Sequence, residues 1–472
     1  MNVNVMDSLL DKYKTVSAEK RIGIFGNPIQ HTLSPVIHDT LSDALGIDER
    51  YLVFQVEEEL GAHVRSAFEQ GILGLNITVP YKQAVMEYLD GVDDAARDIG
   101  AVNTLVRTEQ GYRGYNTDMP GLARALESEG IGLQGEKVIM LGAGGAARAV
   151  AYMCMKYGAE ITYIVNRTYE NAEKIAADMN RCFDRDGVVP VAAADFASIP
   201  EDKYLFIQCS SVGLHEGDGL PVVSDEGFYR MAKCGVDLIY NPSETPFLKL
   251  MKRMGVQAVN GLKMLLYQGV MAYELWNRIK VPEALCGLVY RRLREAVYGR
   301  KIILIGYMGA GKTTLGRYLA EKYAYEFLDT DAYISEKAGM SINEIFRVYG
   351  EKHFRNLETE MLSELMLKNG NMVIATGGGL PLREENRVLL HELGNVCYLR
   401  ACPETIYERV KNNTDRPLLA CDNPYKKICG MLEERTPVYE SAADICLDTD
   451  ALTAEEAAAK IMGAVSDARF TR

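Results

Sequence analysis

Two glycine-rich segments have the composition and spacing that bind phosphate groups. One covers residues 142–147 (GAGGAA) and the other covers residues 306–313 (GYMGAGKT). The first follows the pattern of a dinucleotide-binding turn, and the second follows that of a mononucleotide P-loop. A chain that contains both is predicted to run two reactions, a redox step and a phosphoryl transfer.

The first loop is placed to bind the pyrophosphate of a dinucleotide. A strand at 138–141 runs into it, and a helix is predicted from Ala146 to Tyr157. Glycines let the backbone approach the phosphates, and the helix N-terminus offers unpaired N–H groups and the positive end of its dipole. The predicted cofactor contacts in this turn are Gly142, Ala143, Gly144, Gly145 and Ala146.

The second strand of this unit predicts which dinucleotide is bound. It ends in Asn166-Arg167-Thr168, where NAD-binding folds usually have an acidic residue for the ribose 2′-hydroxyl. Arg167 would attract a 2′-phosphate, so we expect NADP to be preferred, with Asn166 and Thr168 also in contact. One hydrogen bond to a charged group would favour NADP about tenfold to a hundredfold. The alternative, a surface arginine in a turn, is disfavoured because position and charge agree.

The second loop carries residues suited to phosphoryl transfer. Its backbone N–H groups would enclose the β-phosphate, Lys312 would add a positive charge, and Thr313 would give an oxygen to Mg²⁺. The apolar strand at 302–305 before it makes a plain glycine turn a poor explanation. The predicted ATP contacts are Gly309, Ala310, Gly311, Lys312, Thr313 and Thr314.

Two carboxylates follow at the end of the next predicted strand. Asp329 and Asp331 stand at i and i+2 of segment 327–331. In an extended segment such side chains point to the same side. One carboxylate would then lie near Mg²⁺ and the other near an acceptor hydroxyl.

The elements that must position these residues alternate along the chain. From Arg21 onward, short apolar strands such as 22–25, 51–54 and 74–79 alternate with amphipathic helices, which predicts an α/β fold. A second α/β unit begins at Lys137. Its further predicted strands are 204–208 and 236–239, a long helix follows at 261–279, and a third unit opens at Lys301.

The length of 472 residues predicts several domains. Residues 1–17 are expected to form an N-terminal extension. Residues 18–298 are expected to form an α/β substrate-binding domain (18–121 and 263–298) around a Rossmann-like NADP-binding domain (122–262). Residues 299–472 are expected to form a P-loop, NMP-kinase-like domain with a parallel sheet.

Composition narrows the class of protein. A net charge of −13 argues against a nucleic-acid surface, whereas 48% hydrophobic and 25% charged residues are typical of a soluble globular protein. The first twenty residues lack an apolar signal core, and no uncharged apolar run reaches the ~18 residues of a membrane helix, so a cytoplasmic location is expected. The ten cysteines lack zinc-type spacing, which predicts reduced thiols. The oligomeric state stays open.

Four stretches of the first region match one family. They are residues 26–35 (GNPIQHTLSP), 76–82 (NITVPYK), 100–104 (GAVNT) and 115–118 (YNTD). Residues 20–295 thus resemble shikimate dehydrogenase, which reversibly reduces 3-dehydroshikimate with NADPH. The resemblance implies that Lys82 is the acid/base and that Asp118 is its partner. The chemistry agrees, because hydride delivery to a ketone leaves negative charge on oxygen that needs a proton donor.

The same resemblance implies the other contacts of this site. The implied contacts of the substrate carboxylate are Thr32, Ser34 and Thr78, those of the ring hydroxyls are Asn103, Asp118 and Gln268, and those beside the cofactor are Tyr240 and Gly261. Ser34-Pro35 is also compatible with a helix N-cap followed by a first-turn proline. Asn103 and Asn116 are compatible with turn formation, and for Asn116 both interpretations stay open. Thr32 replaces the family's usual serine.

The chain from Lys301 onward resembles shikimate kinase. The further matching segments are residues 350–355 (GEKHFR), 375–379 (ATGGG), 416–419 (RPLL), Arg435 and Tyr439. The resemblance implies that Asp329 supports Mg²⁺ and that Asp331 holds and activates the acceptor hydroxyl. The implied substrate contacts besides Asp331 are the clamping arginines Arg355 and Arg435 and the glycines Gly377, Gly378 and Gly379. Arg416 is implied on a lid over the transferring phosphate and Arg409 near the adenine, although a surface ion pair explains Arg409 nearly as well.

The two resemblances form a chemical sequence, because the product of the first reaction is the substrate of the second. They predict a bifunctional enzyme of aromatic amino acid (chorismate) biosynthesis that uses NADP(H), ATP and Mg²⁺. Its predicted partners are the small molecules 3-dehydroshikimate and shikimate, with no nucleic acid and no membrane. A metabolite-sensing regulator is the rival, but it need not keep Lys82, Asp118 and Lys312. Quinate, or another small polyol for the kinase, stays open as an alternative substrate.

Overall fold

A computed structural model describes residues 20–215, 217–411 and 423–466 of the chain. The chain divides into two compact units, Met1–Leu293 and Arg294–Arg472. The extension predicted at 1–17 lies outside the described residues. Each unit is built of strands that alternate with helices, so the predicted α/β class is confirmed.

The first sheet of the N-terminal unit has six strands in the order β2-β1-β3-β5-β6-β4. Strand β1 pairs in parallel with β2 and β3, whereas β5 runs antiparallel to β3 and β6. The strands are β1 (Lys20–Gly26), β2 (Glu49–Gln55), β3 (Gly74–Ile77), β4 (Gly91–Val92), β5 (Thr104–Arg107) and β6 (Tyr112–Tyr115). The helices are α1 (Ser34–Leu45), α2 (Leu60–Glu69) and α3 (Asp94–Ile99).

The second sheet is entirely parallel, with the order β12-β11-β10-β7-β8-β9. Its strands are β7 (Lys137–Leu141), β8 (Ile161–Asn166), β9 (Val188–Ala192), β10 (Tyr204–Gln208), β11 (Ala232–Asp237) and β12 (Gln257–Val259). The helices are α4 (Asp118–Ser128), α5 (Ala147–Lys156), α6 (Tyr169–Phe183), α7 (Pro246–Arg253), α8 (Leu262–Asn277) and α9 (Glu283–Tyr298). The strand order reverses at β7, and ligands of such sheets bind at the carboxyl ends beside that switch point.

The sheet of the C-terminal unit is also parallel, with the order β14-β15-β13-β16-β17. Its strands are β13 (Lys301–Ile305), β14 (Glu326–Asp329), β15 (Met372–Ala375), β16 (Asn395–Arg400) and β17 (Ile445–Asp448). The helices are α10 (Lys312–Tyr323), α11 (Thr330–Ala338), α12 (Ile342–Leu365), α13 (Glu384–Leu393), α14 (Pro403–Val410), α15 (Pro424–Ala442) and α16 (Ala454–Ser466). Residues 302–305 are fully buried, as expected for a parallel strand that is covered on both faces.

Short 3₁₀ helices complete the secondary structure of the described residues. They cover Ala84–Tyr88, Ala193–Ser198, Phe228–Met231 and Leu380–Leu382. No helix in the described ranges combines the length and the apolar character needed to cross a membrane. The nine cysteines that the structure describes are all free thiols.

Three predicted segments differ in the structure. The strand predicted at 74–79 ends earlier, since β3 covers Gly74–Ile77. The strand predicted at 236–239 is wrong in its bounds, since β11 ends at Asp237, whose buried carboxylate accepts the N–H of Ile239 and bends the chain out of the sheet. The segment 327–331 is not extended throughout, because α11 begins at Thr330. The Asp329 carboxylate accepts the N–H groups of Asp331 and Ala332, which makes Asp329 a helix N-cap. The i, i+2 argument for this pair is therefore wrong.

Candidate active sites

A cavity of about 440 Å³ lies in the N-terminal unit, between the start of α1, the end of β3, the start of α4 and α8. Its lining collects most of the side chains predicted for the dehydrogenase site. The predicted residues that line it are Thr32, Ser34, Thr78, Lys82, Asn103, Asp118, Tyr240, Gly261 and Gln268. Residues far apart in the chain thus meet at one place.

The polar centre of this cavity is a Lys82–Asp118–Asn103 cluster. Lys82 Nζ donates to Asp118 Oδ2 at 2.7 Å, and Asn103 Nδ2 donates to Asp118 Oδ1 at 2.9 Å. The Lys82 side chain keeps about a third of its surface exposed (32%), whereas that of Asp118 keeps 17%. The carboxylate is thus held from both sides, and the ammonium group is oriented at the cavity edge with room for a substrate.

The backbone around this cluster explains its geometry. The N–H of Val102 donates to the carbonyl of Lys82 at 2.8 Å, which ties the loop after β3 to the segment before β5. Asn103 Oδ1 accepts the N–H of Thr117 at 2.7 Å, directly before Asp118 opens α4. One asparagine therefore fixes both the start of that helix and the carboxylate.

A hydrogen-bonded pair behind the cluster is a feature that the sequence reasoning missed. Tyr51 Oη donates to Asn76 Oδ1 at 2.6 Å, and both side chains are buried. Asn76 lines the cavity and donates through Nδ2 to Thr104 Oγ1 at 3.2 Å. The signal was present, since Asn76 opens the matched NITVPYK stretch, but nothing in the sequence pairs it with Tyr51.

The hydroxyls of Thr32 and Ser34 lie side by side at the N-terminus of α1. Thr32 Oγ1 donates to Ser34 Oγ at 3.2 Å, and both residues line the cavity. Leu33 occupies the cap position and Pro35 lies in the first turn. The interpretation of Ser34 as the N-cap is therefore wrong, while that of the first-turn proline is confirmed.

Asn116, Gln268 and Gly261 have defined positions around the cavity. Asn116 accepts the N–H of Met119 at 3.2 Å and donates to the carbonyl of Ala101 at 3.0 Å, so it fixes the loop at the start of α4. Gln268 lines the cavity and donates to the carbonyl of Leu265 within α8. Gly261 precedes α8, where a Cβ atom would collide with the carbonyl of Leu238.

The first glycine loop joins β7 to α5, as predicted. Gly142 has φ of +104°, and a Cβ atom there would lie 2.9 Å from that of Ser210 and 3.0 Å from its backbone nitrogen. Ala146 occupies the cap position of α5, and no side chain caps that helix start. At the end of β8, Arg167 and Thr168 are exposed, and Asn166 Nδ2 donates to the carbonyl of Thr168 at 2.8 Å.

A buried carboxylate supports the loop that carries Tyr240. Asp237 is fully buried; its Oδ2 accepts from Thr245 Oγ1 at 2.6 Å and its Oδ1 from the N–H of Ile239 at 3.0 Å. Burial raises the pKa of Asp237 from 3.8 to about 7, against the lowering effect of those two hydrogen bonds. The nearby thiol of Cys209 is also buried, which raises its pKa well above 9.0 and keeps it neutral.

Asp237 is expected to make the stability of the N-terminal unit fall as pH rises from about 4 to about 7. The pKa of Asp237 is higher in the folded state than in the unfolded state. Between these two pKa values the unfolded chain binds fewer protons, so the free energy of unfolding decreases as pH rises. Thermal unfolding at pH 5 and pH 8 measures this. The midpoint of wild type should drop by a few degrees more than that of Asp237→Asn, whereas the exposed Asp186→Asn should follow wild type. Parallel drops in all three proteins would contradict the assignment.

A second cavity, of about 540 Å³, lies over the P-loop in the C-terminal unit. Several predicted residues meet there. Those that line it are Gly309, Ala310, Gly311, Lys312, Thr313, Thr314, Asp329, Asp331, Gly377, Gly378 and Arg409. The loop between β17 and α16 closes the far side with Thr449 and Thr453, which the sequence reasoning did not identify.

The lysine and the threonine of the P-loop both have defined hydrogen bonds. Lys312 Nζ donates to the carbonyls of Gly306 at 2.7 Å and Tyr307 at 2.9 Å, so the ammonium lies over the loop. Thr313 Oγ1 donates to Asp329 Oδ2 at 3.1 Å. This hydroxyl and carboxylate are hard oxygen donors, the ligand type that Mg²⁺ prefers. Within the described ranges no group of three or more His, Cys, Asp or Glu side chains has the geometry to hold a metal ion.

The glycine triplet lies close to two of the predicted arginines. A Cβ atom at Gly379 would lie 2.5 Å from Arg355 Nη2, and one at Gly378 would lie 3.9 Å from Arg435 Nη1. A Cβ atom at Gly377 would lie 2.5 Å from Asp331 Oδ1. A Cβ atom at Gly377 or Gly379 would therefore be too close to a neighbouring side chain, whereas one at Gly378 would make ordinary contacts, and the triplet lies close to the Asp331 carboxylate and both guanidinium groups.

Glu358 holds Arg355 in place and was not identified from the sequence. Arg355 Nη1 donates to Glu358 Oε2 at 2.8 Å, and the Glu358 side chain is 1% exposed. Burial raises the pKa of Glu358 to about 7, although Arg355 lowers it. The i, i+3 spacing on α12 was the available signal. It did not distinguish this buried partner from Glu351, which also pairs with Arg355 at 3.1 Å but stays exposed.

Of the two remaining predicted arginines, the structure describes Arg409 but not Arg416. Arg409 Nη1 donates to the carbonyl of Gly309 at 3.1 Å, so this side chain lies against the P-loop. The lid is predicted at 411–424, and its residues 412–422, which include Arg416, lie outside the described residues.

Family models match both units. The model described as shikimate dehydrogenase substrate binding domain matches residues 24–105, and the one described as shikimate / quinate 5-dehydrogenase matches residues 124–185. The model described as shikimate kinase matches residues 308–466. The matched ranges contain Lys82, the first glycine loop and the P-loop lysine, respectively.

Known proteins resemble the N-terminal part of the chain over nearly their whole length. The shikimate dehydrogenase (NADP(+)) of Carboxydothermus hydrogenoformans is 38% identical over 265 residues, which cover 56% of this chain and 93% of that protein. The solved shikimate 5-dehydrogenase of Listeria monocytogenes, in complex with shikimate and NAD, has a TM-score of 0.53 and 31% identity, covering 57% of this chain and 94% of that one.

Another solved structure is similar to the same part of the chain. The shikimate 5-dehydrogenase of Thermus thermophilus, solved with NADP(H) and shikimate, has a TM-score of 0.51 and 31% identity, covering 59% of this chain and 99% of that one. With more than nine tenths of each relative covered, and a separate match in the C-terminal unit, the chain belongs to the shikimate dehydrogenase family and carries a shikimate kinase domain after it.

Proposed function

We propose that the N-terminal unit reduces 3-dehydroshikimate to shikimate with NADPH and that the C-terminal unit phosphorylates shikimate to shikimate 3-phosphate with ATP. The observation that carries the proposal is the occurrence of two polar clusters, each in a cavity of its own unit. Lys82–Asp118–Asn103 lines the first cavity, and Lys312–Thr313–Asp329 lines the second cavity over the P-loop. NADPH supplies a hydride and ATP a phosphoryl group. The domain bounds predicted above, 18–298 and 299–472, are part of this proposal.

In the dehydrogenase site, negative charge develops on the ketone oxygen as hydride reaches the carbon. The Lys82 ammonium, oriented by Asp118, donates a proton to that oxygen. Asn103 and Gln268 bind ring hydroxyls, and the paired hydroxyls of Thr32 and Ser34, with Thr78, bind the carboxylate. Fixing the substrate in this way places its carbonyl at the donor before transfer.

The exposed Arg167 supports a preference for NADP. It follows β8, beside the place where the ribose of a dinucleotide lies in such folds, and its guanidinium is suited to a phosphate. Arg167→Ala is expected to lower kcat/KM with NADPH about tenfold to a hundredfold and to leave that with NADH within a factor of two. Steady-state kinetics with both cofactors measures this. An unchanged NADPH-to-NADH ratio would refute the role, and Arg181→Ala on α6 is the control for loss of one surface charge.

In the kinase site, Asp331 accepts the proton of the attacking hydroxyl, and Lys312 stabilises charge on the transferring phosphate. Arg355 and Arg435, which lie close to Gly379 and Gly378, clamp the carboxylate of the acceptor in bidentate fashion. Thr313 and Asp329 would hold Mg²⁺. Arg416 is proposed to reach the phosphate from the lid, and Arg409 the adenine side of the P-loop.

Separate assays test the two activities and the rival functions. NADPH oxidation should depend on 3-dehydroshikimate, and ADP formation should depend on shikimate. A metabolite-sensing regulator would bind these compounds without turnover. Quinate with NADP⁺ or NAD⁺ is the specificity control, because one matching family model includes quinate in its description. Turnover of quinate at a higher kcat/KM than shikimate would replace the proposed substrate.

A further inference from the structure

The helix that follows the first glycine loop contacts the substrate-binding side of the N-terminal unit. Arg148 is the second residue of α5 and directly follows the glycine-rich segment 142–147. Its Nε donates to the carbonyl of Ile99 at 2.7 Å, the last residue of α3. One turn along α5, Tyr152 packs in the same apolar cluster as Ile99 and Ala147.

Arg148 is itself held in a defined orientation. Its Nη1 pairs with Asp178 Oδ2 of α6 at 2.7 Å, and the two side chains are only 22% and 27% exposed. Arg181 approaches the other oxygen of Asp178 at 3.6 Å but is 78% exposed. The guanidinium of Arg148 therefore bridges a carboxylate of the cofactor side and a backbone carbonyl of the substrate side, using two separate nitrogens of its planar group.

The segment that Arg148 holds leads directly to the reacting groups. After Ile99, the carbonyl of Ala101 accepts from Asn116 at 3.0 Å, and the N–H of Val102 donates to the carbonyl of Lys82 at 2.8 Å. The segment ends at Asn103, which donates to the Asp118 carboxylate. The backbone of residues 99–103, with the hydrogen bonds at its two ends, therefore links the first turn of α5 to both members of the Lys82–Asp118 pair.

We propose that Arg148 is a positioning residue that couples the two ligands of the dehydrogenase, so that NADPH and shikimate each bind more tightly when the other is present. A pyrophosphate at the N-terminus of α5 fixes that helix, and Arg148 transmits the restraint to residues 99–103 and the substrate cavity. The effect is reciprocal, because a coupling free energy acts equally on both ligands. The inference rests on the proposed dehydrogenase function.

The test is an NADPH titration of the full-length protein, followed by nucleotide fluorescence, with and without saturating shikimate and without ATP. This pair of ligands cannot react, because NADPH needs the ketone. In wild type, shikimate is expected to raise NADPH affinity at least about fivefold. In Arg148→Met the increase should fall below about twofold, while NADPH affinity without shikimate stays within about threefold of wild type.

Matched variants separate coupling from charge loss and misfolding. Arg181→Met removes a cation from the same Asp178 without touching residues 99–103, and should keep the wild-type increase. Arg148→Lys and Asp178→Asn should each give an intermediate increase. In the first, one nitrogen replaces the two separate nitrogens, Nε and Nη1, that contact Ile99 and Asp178, and in the second the guanidinium loses its ion pair. In Arg148→Met, KM should rise for both substrates while kcat at saturation changes little.

Three results would overturn the inference: no increase in wild type, a wild-type increase in Arg148→Met, or a large loss of NADPH affinity in that variant without shikimate, which would place Arg148 in the cofactor site alone. If Arg148→Met unfolds at a much lower temperature than Arg181→Met, the Asp178→Asn variant decides instead. A wild-type increase in NADPH affinity in Asp178→Asn would then overturn the inference. A wild-type protein that does not bind NADPH would instead refute the proposed dehydrogenase function.

Discussion

Lys82→Met is expected to lower kcat for 3-dehydroshikimate reduction by about a thousandfold, within the range that a positioned general acid supplies. Methionine keeps the length of the side chain but removes the ammonium that Asp118 orients at 2.7 Å. The oxygen that receives negative charge then has no proton donor from the chain at this position. Stopped-flow or steady-state measurement of NADPH oxidation at saturating substrate gives the value.

Two controls make the Lys82 result specific. Lys174→Met removes an exposed lysine from α6 and should keep wild-type kcat. NADPH affinity of Lys82→Met should stay near wild type, because the side chain lines the substrate cavity and not the glycine loop. Turnover above a tenth of wild type with intact NADPH binding would show that another group donates the proton.

Lys312→Met is expected to lower kinase kcat at least about a hundredfold, as does the loss of one group that stabilises transition-state charge in other enzymes. The Lys312 ammonium lies over the P-loop, hydrogen-bonded to two of its carbonyls, where the phosphates of a nucleotide are bound in such loops. ADP release coupled to shikimate consumption measures the effect. Dehydrogenase kcat in the same preparation should be unchanged.

The control for this second prediction lies on the same helix. Lys322 is at the C-terminal end of α10, where it pairs with Glu455 at 2.9 Å away from the cavity. Lys322→Met should therefore keep kinase activity. If Lys312→Met and Lys322→Met lost activity equally, the loss would come from the stability of α10 and not from the phosphate site.

Short-range patterns were enough to predict the parts of both sites that a few neighbouring residues build. Each glycine loop lies between a strand and a helix because its own residues specify the turn: Gly142 needs a positive φ and has no room for a Cβ atom. Lys312 and Thr313 follow from the loop in the same way. The α/β class followed from strands such as 302–305, whose apolar run fits a buried parallel strand.

What the sequence could not predict depends on contacts between distant residues. Tyr51 and Asn76 pair across 25 positions, and Arg148 reaches Ile99 across 49. Side-chain burial was equally out of reach, since Glu351 and Glu358 stand at similar spacings from Arg355 but only Glu358 is buried. The helix start at Thr330 was missed because the sequence does not show whether Asp329 ends a strand or caps a helix.

The central claim is that one chain carries out two consecutive reactions on a cyclic hydroxy-acid. Purified full-length protein incubated with 3-dehydroshikimate, NADPH, ATP and Mg²⁺ tests it most directly, with products identified by mass spectrometry. Shikimate 3-phosphate should appear only when both nucleotides are present, and shikimate alone should accumulate when ATP is left out or in the Lys312→Met variant. Failure to form shikimate 3-phosphate with both nucleotides present, or its formation without NADPH, would contradict the account.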